Sequence, residues 1–246
     1  MIEIARHRIL GYRCQVQQLT GPIENLDRPA GSAAECRVLD AGIRDNPIGG
    51  SAAVALRART GADPAPEGLV RAYTVRGAAR LHRAGELGLF AAALRWRDAR
   101  EPAREALGDL TVPDPVAAVE QITAALRTVT ADNLPRTKGE LSRAVSDALD
   151  PALSPWCERC GAHHPPDGLF RHATLRAGLV IVVEPGGFRL RPADPVPEPI
   201  DPDTARRDLL RRFLRLAGAA TPEGYGSWLG LSTTGVRRWW QLLADE

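Results

Sequence analysis

The spacing of apolar residues in the first part of the chain predicts helices separated by loops. Residues Ile4 to Leu19 are compatible with a first helix, and Val38 to Ile43 with a short strand. An Asn-Pro and Gly-Gly break then precedes an alanine-rich segment, Ser51 to Arg59, which predicts a second helix with Ser51 as its N-cap. The opening segment is therefore expected to be helix, loop, strand and helix.

The next apolar segment has the residue types of strands. Leu69 to Leu81 is rich in Val, Tyr and Thr and contains Gly77, which indicates two short strands or one bent strand. A helix is predicted to follow from Ala84 to Arg97. Beyond Pro113 and Pro115, apolar residues recur at helical spacing through Val129 and predict a longer helix.

The segment from residue 137 to residue 192 is predicted to contain two helices followed by a β-hairpin. Thr137 and Glu140 have the spacing of a capping box, so a helix is expected to begin there. Leu169 to Ala177 predicts another helix, and residues 179–192 read as two strands joined by Glu184-Pro185-Gly186-Gly187. Helices followed by a hairpin are typical of a winged helix.

A proline-rich segment from Pro192 to Pro202 predicts an extended linker, because proline cannot donate a backbone hydrogen bond. Helices are predicted after it at Thr204 to Ala217, Pro222 to Leu229 and Ser232 to Ala244. The short middle helix and its Gly-containing turn are typical of a helix-turn-helix.

The pattern predicts a mainly α protein with a small β component, an α+β fold of tandem winged-helix or helix-turn-helix modules. Residues 1–112 are expected to form a first winged-helix-like module and 113–191 a second. Residues 192–202 would be the linker, and 203–246 a third helix-turn-helix without a wing.

The composition is that of a folded protein, but it does not identify a binding partner. Of 246 residues, 44% are hydrophobic and 25% charged, and the net charge of +2 is too small to indicate nucleic-acid binding by itself. Lys138 is the only lysine, and the arginines either serve phosphate contacts or reflect a GC-rich genome. With no long apolar run and no signal-peptide pattern, we expect a cytoplasmic protein without a membrane partner.

The last helix carries the clearest candidates for DNA contact. Thr233, Thr234, Arg237 and Arg238 lie early on the helix that would enter the major groove of a duplex. The alternative is a helical core packed around the nearby tryptophans.

Other candidates for phosphate contact lie around the predicted second hairpin. They are Arg136, Lys138, Arg143, Arg189 and Arg191. The alternative is an ordinary solvated amphipathic helix.

Isolated polar residues of the first module add weaker candidates. Gln17, at the end of the first helix, either contacts a base or caps the helix. Arg76 lies within the predicted strand pair and His82 follows it. Both would approach DNA there, although a single histidine at a strand end is commonly structural or solvent-facing. Arg44 and Asp45 follow the first strand, where Asp45 would orient a water molecule, stabilise a cationic sugar or form a turn.

Four soft or borderline metal donors lie in one short segment. Cys157 and Cys160 are separated by two residues, and His163 and His164 follow closely. Zinc accepts such a donor set, so a structural zinc site and reduced loop thiols are both open interpretations. No phosphate-binding glycine loop, nucleophile elbow or metalloprotease motif is present, which predicts no nucleotide cofactor and no required cofactor.

Four segments in the same order carry a family resemblance: TVRGAARLH, TKGELSRAV, CERCGAHHPPDGLFRHATLRAGL and TPEGYGSWLGLS. Together they resemble the winged-helix DNA-binding family that includes the AlkZ/YcaQ-like DNA glycosylases. The resemblance implies binding of double-stranded DNA and, in the glycosylase branch, release of alkylated or crosslinked bases during DNA repair. The alternatives are a non-catalytic protein similar to a transcription factor and a protein-interaction scaffold.

The resemblance also implies where a catalytic residue would lie. A Gln-x-Gln or Gln-x-Asp motif positions the attacking water in the glycosylase branch. Gln15-Val16-Gln17 matches its letters, whereas Ile43-Arg44-Asp45 better matches its place but lacks the leading glutamine. Asp45 is thus the candidate catalytic residue of a monofunctional glycosylase. Family members continue into further strands where this sequence stops, so we expect the third wing to be missing, in a shortened product or a naturally minimal form.

Overall fold

The computed structural model describes residues 4–19, 35–61, 67–103 and 112–243 and shows a mixed α+β fold. The helices are α1 (Arg6–Val16), α2 (Ser51–Thr60), α3 (Leu87–Ala93), α4 (Pro115–Val129), α5 (Lys138–Ser146), α6 (Asp167–Arg176), α7 (Pro202–Ala217), α8 (Pro222–Leu229) and α9 (Thr233–Gln241). The strands are β1 (Ile43–Arg44), β2 (Leu69–Tyr73), β3 (Ala79–Arg83), β4 (Trp156–Cys157), β5 (Ala162–His163), β6 (Leu179–Glu184) and β7 (Gly187–Pro192).

A five-stranded antiparallel sheet has the order β1-β3-β2-β6-β7. The hairpin β2–β3 pairs Arg71 with Leu81, and Arg71 also pairs with Ile181 of β6. The second hairpin, β6–β7, pairs Ile181 with Leu190 as its turn residues predicted. The sheet therefore joins strands from both sides of residue 112.

Two predictions for residues 38–51 need correction. Residues Arg37–Asp40 form a 3-10 helix. Of the predicted strand only its last residue, Ile43, is extended, and β1 continues to Arg44. Ser51 is the first residue of α2 and Gly50 is its N-cap. The Ser51 hydroxyl instead accepts a hydrogen bond from the Asn46 amide at 2.7 Å, because the loop folds back onto the helix start.

The helix predicted from Ala84 to Arg97 is shorter. Ala84–Glu86 form a 3-10 turn, and regular α-helix extends only over α3. All but two residues of α3 are buried. The helix is therefore stabilised by contacts around most of its surface, and its sequence has no polar face that would mark its ends.

Helices α4, α5 and α6 form the main hydrophobic core with the sheet. Ile122, Leu126, Leu141 and Phe170 are almost completely buried in it. The predicted capping box of α5 is present: Thr137 accepts from the Glu140 amide, and Glu140 accepts from the Thr137 amide at 2.7 Å. This fixes the start of α5.

Helices α7, α8 and α9 form a second core with α3, centred on Tyr225 and Trp239. Residues 193–201 contain neither helix nor strand, as the prolines predicted. Arg206 and Glu101 form an ion pair in which each side chain is 1% exposed, and Arg206 lies 5.2 Å from the ring centre of Trp239. This pair connects α7 to the segment before α4.

Among the described helices, none combines the length and the apolar content needed to cross a membrane.

Candidate nucleic-acid interface

The turn between β2 and β3 places an exposed arginine in a strained backbone conformation. Arg76 has φ 58° and ψ 30°, the left-handed region, which costs a non-glycine residue about 1 kcal/mol or more. The turn is held by a hydrogen bond from the Thr74 amide to the Ala78 carbonyl at 3.0 Å. Gly77 follows with φ 62°. The surrounding fold therefore holds the Arg76 side chain at the surface at an energetic cost.

Arg171 of α6 connects this turn to the helical layer. Its guanidinium lies 5.0 Å from the ring centre of Tyr73 and donates to the Gly77 carbonyl at 3.2 Å. It also pairs with Asp167 at 2.6 Å, and Lys138 of α5 pairs with the same carboxylate. The β2–β3 turn, α6 and the start of α5 are thus one connected surface.

A cavity of about 400 Å³ opens between α5, α6 and the segment with the two cysteines. Its lining includes four basic side chains, Lys138, Arg143, Arg159 and Arg171, and one carboxylate, Asp167. Within the described residues, neither Arg143 nor Arg159 forms an ion pair. The cavity is therefore cationic and suits an anionic ligand.

A second cavity, of about 430 Å³, extends from Arg76 to α8 and the start of α9, and Glu223 also lines it. Thr233 lines it, and Arg237 lies one turn further along α9 on the same face. We refer to Arg76, Lys138, Arg143, Arg159, Arg171 and Arg237 as the basic stripe. Its members come from the β2–β3 turn, α5, α6, α9 and the cysteine segment.

One side of the α9 start is covered by the chain itself. The Ser232 amide donates to the Glu101 carbonyl at 2.9 Å, and Leu231 forms a β-bridge with Pro102. Arg238 pairs with Asp98 at 2.8 Å, whereas Thr233, Thr234 and Arg237 are exposed. Of the four candidates on this helix, those three face solvent.

Three candidate arginines near the second hairpin have partners within five residues of themselves in the chain. Arg136 donates to Asp132 at 2.7 Å, Arg189 pairs with Glu184 at 2.9 Å, and Arg191 donates to a backbone carbonyl at 3.2 Å. They remain candidates for phosphate contact, but carboxylates partly compensate the charges of Arg136 and Arg189.

Arg44 is exposed on the edge strand β1 opposite Arg80, which is partly buried. Burial, followed by the charges of Arg44 and Arg76, lowers the pKa of Arg80 to about 10. Arg80 and Gln17 line a cavity of about 600 Å³. The Gln17 amide donates to the Leu216 carbonyl at 3.0 Å, so its contacts hold α1 against the end of α7.

His82 is enclosed by the protein, contrary to the expectation that it approaches DNA. It is fully buried, contacts the Phe90 ring at 4.1 Å between centroids, and hydrogen-bonds Thr74 through Nε2 at 2.9 Å. Burial, followed by the charges of Arg80 and Arg212, lowers its pKa to about 3. The neutral imidazole is part of the core because β3 turns it inward.

Asp45 is 1% exposed, and both carboxylate oxygens are engaged. Oδ1 accepts from the Ala52 amide at 2.9 Å and the Ser51 hydroxyl at 3.3 Å. Oδ2 accepts from the Gly49 amide at 2.8 Å and Arg71 Nε at 2.7 Å. Burial acts to raise the pKa of Asp45, but these hydrogen bonds outweigh it and lower the pKa. The carboxylate holds the start of α2 against the sheet.

The cysteine segment forms a short β4–β5 ribbon. Cys157 pairs with Ala162 and Trp156 with His163. Cys157, Cys160 and His164 bring their donor atoms within 4.8 Å of one another, whereas His163 lies against Trp156 and hydrogen-bonds the Ser154 carbonyl at 2.9 Å. The hydrogen bond from the Cys160 amide lowers the pKa of Cys157 to about 7. Three of the four predicted metal ligands thus meet.

Residues that sequence reasoning did not select complete the surface. Arg159 and Arg171 both line the cationic cavity, and Arg171 provides the contact to Gly77. Their position depends on contacts between residues far apart in the chain, so helical spacing alone does not reveal it.

Comparisons with known proteins agree with this fold. A family model described as DNA glycosylase AlkZ-like matches residues 48–246. A solved structure, the Streptomyces sahachiroi DNA glycosylase AlkZ, is similar with a TM-score of 0.66 and 18% sequence identity. The similarity covers 99% of this chain but 66% of that one, so the chain spans less than two thirds of its length. The sequence matches none of the curated proteins. Because the family model covers most of the sequence, the chain belongs to the AlkZ-like DNA glycosylase family.

Proposed function

We propose that this protein binds double-stranded DNA through the basic stripe. The main support is that basic side chains from separate elements lie on one surface. Two of them, Arg143 and Arg159, have no ion pair within the described residues. In this proposal α4, α5, α6 and the β6–β7 hairpin act as a winged helix, and α7 to α9 as a helix-turn-helix.

Electrostatics and backbone strain both support this surface as the site of DNA binding. Phosphate groups recur along a duplex, so a row of cations that spans several elements contacts more of them than one helix does. Arg76 keeps an exposed side chain at a strained position between the two modules, and strain of this kind is common at functional sites. Binding to chromosomal DNA would place the protein at the nucleoid.

The test is fluorescence anisotropy with a labelled duplex over a range of salt concentrations. Arg143→Ala should weaken binding and reduce the slope of log affinity against log salt by about 1, the contribution of one lost phosphate contact. Arg37→Ala, which removes an exposed arginine outside the stripe, is the matched control and should bind as the wild type does. Absence of wild-type binding at low salt would refute the proposal.

Release of an alkylated or crosslinked base is the second candidate function, and membership of the glycosylase family favours it. Asp45 is the residue proposed for it from the sequence. For Asp45 to hold an attacking water, its contact with Arg71 must first open, because both oxygens are occupied in this structure. We therefore propose DNA binding as the primary function and Asp45 catalysis as conditional on that opening.

Incubation with a duplex carrying an alkylated purine separates the two functions. Abasic sites, detected as heat-labile strand breaks, would demonstrate base release, and binding without breaks would leave a DNA-binding protein. If breaks occur, Asp45→Asn should abolish them while DNA affinity stays within a factor of a few. Unchanged base release by Asp45→Asn would remove this residue from the mechanism.

A further inference from the structure

We propose that Cys157, Cys160 and His164 bind a zinc ion. Their donor atoms lie within 4.8 Å of one another, and two thiolates with one imidazole are a donor set that zinc accepts. In a tetrahedral zinc site, sulfur ligands lie about 3.8 Å apart, as follows from Zn–S bonds of about 2.3 Å. Because 4.8 Å is the upper limit of the spacing, the two sulfur atoms need to approach by at most about 1 Å to reach that geometry.

The backbone of the ribbon turn already has the form that two cysteine ligands need. The amides of Cys160 and Gly161 donate to the Cys157 carbonyl at 3.1 and 2.8 Å. Gly161 has φ 58°, a conformation that glycine adopts without steric cost. The turn therefore brings the two thiols to one side without a metal having to impose it.

The hydrogen bonding of His164 assigns its metal-binding nitrogen. Nδ1 lies 2.8 Å from the Pro165 carbonyl, which can only accept, so Nδ1 carries the proton. Nε2 then has a free lone pair; it is buried and lacks a hydrogen-bond partner in the part of the chain that is described. A ligating histidine commonly donates its other N–H to a carbonyl in this way.

The pleat of the ribbon decides between the two adjacent histidines. Side chains alternate between the faces of a strand, and His163 lies on the face of Trp156, with its ring 5.3 Å from the indole. His164 follows on the opposite side, where Cys157 and Cys160 lie. His163 is therefore not a ligand, and the fourth coordination position is left to water or an exogenous ligand.

The site would hold the segment that carries Arg159 next to α5 and α6. Cys160 and His164 line the same cavity as Lys138 and Arg143, so the metal would lie at the edge of the basic stripe. The inference does not depend on DNA binding, because metal content is measured without DNA.

The test is elemental analysis of the full chain purified under reducing conditions, combined with Co²⁺ titration of the metal-free protein. The wild type should retain about one zinc per chain, and Co²⁺ should give thiolate-to-metal charge-transfer bands with the intense visible bands of tetrahedral coordination. Cys157→Ser and His164→Ala should each lose most of the bound metal. His163→Ala is the matched control and should retain it.

Two results would overturn the proposal. One is wild-type protein with free thiols that neither retains zinc nor gives the cobalt bands, a result that does not depend on the folding of any variant. The other is equal loss of metal in His163→Ala and His164→Ala. A protein that binds zinc but not DNA would refute only the proposed function, and the reverse would refute only this site.

Discussion

Arg71 Nε lies 2.7 Å from Asp45 Oδ2, and this contact joins the centre of the sheet to the loop before α2. Each carboxylate oxygen of Asp45 accepts two hydrogen bonds. An asparagine accepts through one oxygen only and turns its amide group toward donors. The pair therefore makes this loop sensitive to a substitution that hardly changes side-chain volume.

We expect Asp45→Asn to lower the free energy of unfolding by about 1–3 kcal/mol at pH 7, the cost of unsatisfied buried donors. The folded-state pKa of Asp45 is below its ordinary 3.8, so this stabilisation is complete above that pH and is lost as the pH falls through the folded-state value. Denaturant unfolding of both proteins at pH 7 and pH 3 measures the difference. An equal difference at both values would contradict an ionised, hydrogen-bonded Asp45.

The strained turn at Arg76 allows stability and DNA binding to be separated. Arg76→Gly and Arg76→Ala both remove the guanidinium, but only glycine removes the β-carbon that opposes a φ of 58°. We expect the glycine variant to be more stable than the alanine variant by about 1 kcal/mol. Both should bind duplex DNA equally weakly. Thermal unfolding measures the difference in stability, and anisotropy titration measures the loss of DNA binding. An alanine variant more stable than the glycine variant would contradict the strain at this position.

Two buried histidines should make the protein sensitive to mild acid. Burial, followed by nearby arginines, lowers the pKa of His82 to about 3 and that of His172 to about 4 from an ordinary 6.5. Below pH 6.5 the unfolded chain binds protons that the folded chain does not, so stability falls with pH from 6.5 toward 4. At pH 5 the expected loss is about 2 kcal/mol for each histidine.

Chemical unfolding at pH 7.5 and pH 5 checks this loss. The double variant that combines His82→Asn and His172→Asn should lose much less stability between pH 7.5 and pH 5, although it is less stable than the wild type at pH 7.5. His163→Asn changes an exposed histidine and should leave the loss unchanged. Equal stability of the wild type at both pH values would mean that the two imidazoles are protonated in the folded protein.

The buried pair of Arg206 and Glu101 should be costly to break. Glu101→Gln leaves Arg206 without its charged partner in a site where both side chains are 1% exposed, and we expect a loss of about 3–5 kcal/mol. Glu184→Gln, which removes an exposed partner of Arg189, is the control and should cost about 1 kcal/mol or less. If the two variants were equally stable, solvent would have to reach Arg206 in solution.

Local sequence determined most of the secondary structure of the second half of the chain. The capping box at Thr137, the Pro-Gly-Gly turn after Glu184 and the N-cap Ser232 act through neighbours within a few residues. Their outcome is therefore visible in the order of residues. The same signals were weaker before residue 100, where the helix α3 and the 3-10 segment at Arg37–Asp40 depend on packing.

The environment of each candidate site residue was decided by tertiary structure. Asp45 and His82 have the residue types of active sites, yet contacts with Arg71 and Phe90 from other elements enclose them. In contrast, Arg171 belongs to the candidate interface because α6 packs beside the β2–β3 turn. Burial and charge pairing arise between residues distant in sequence. The local sequence therefore identifies the candidate chemical groups but does not predict what surrounds them.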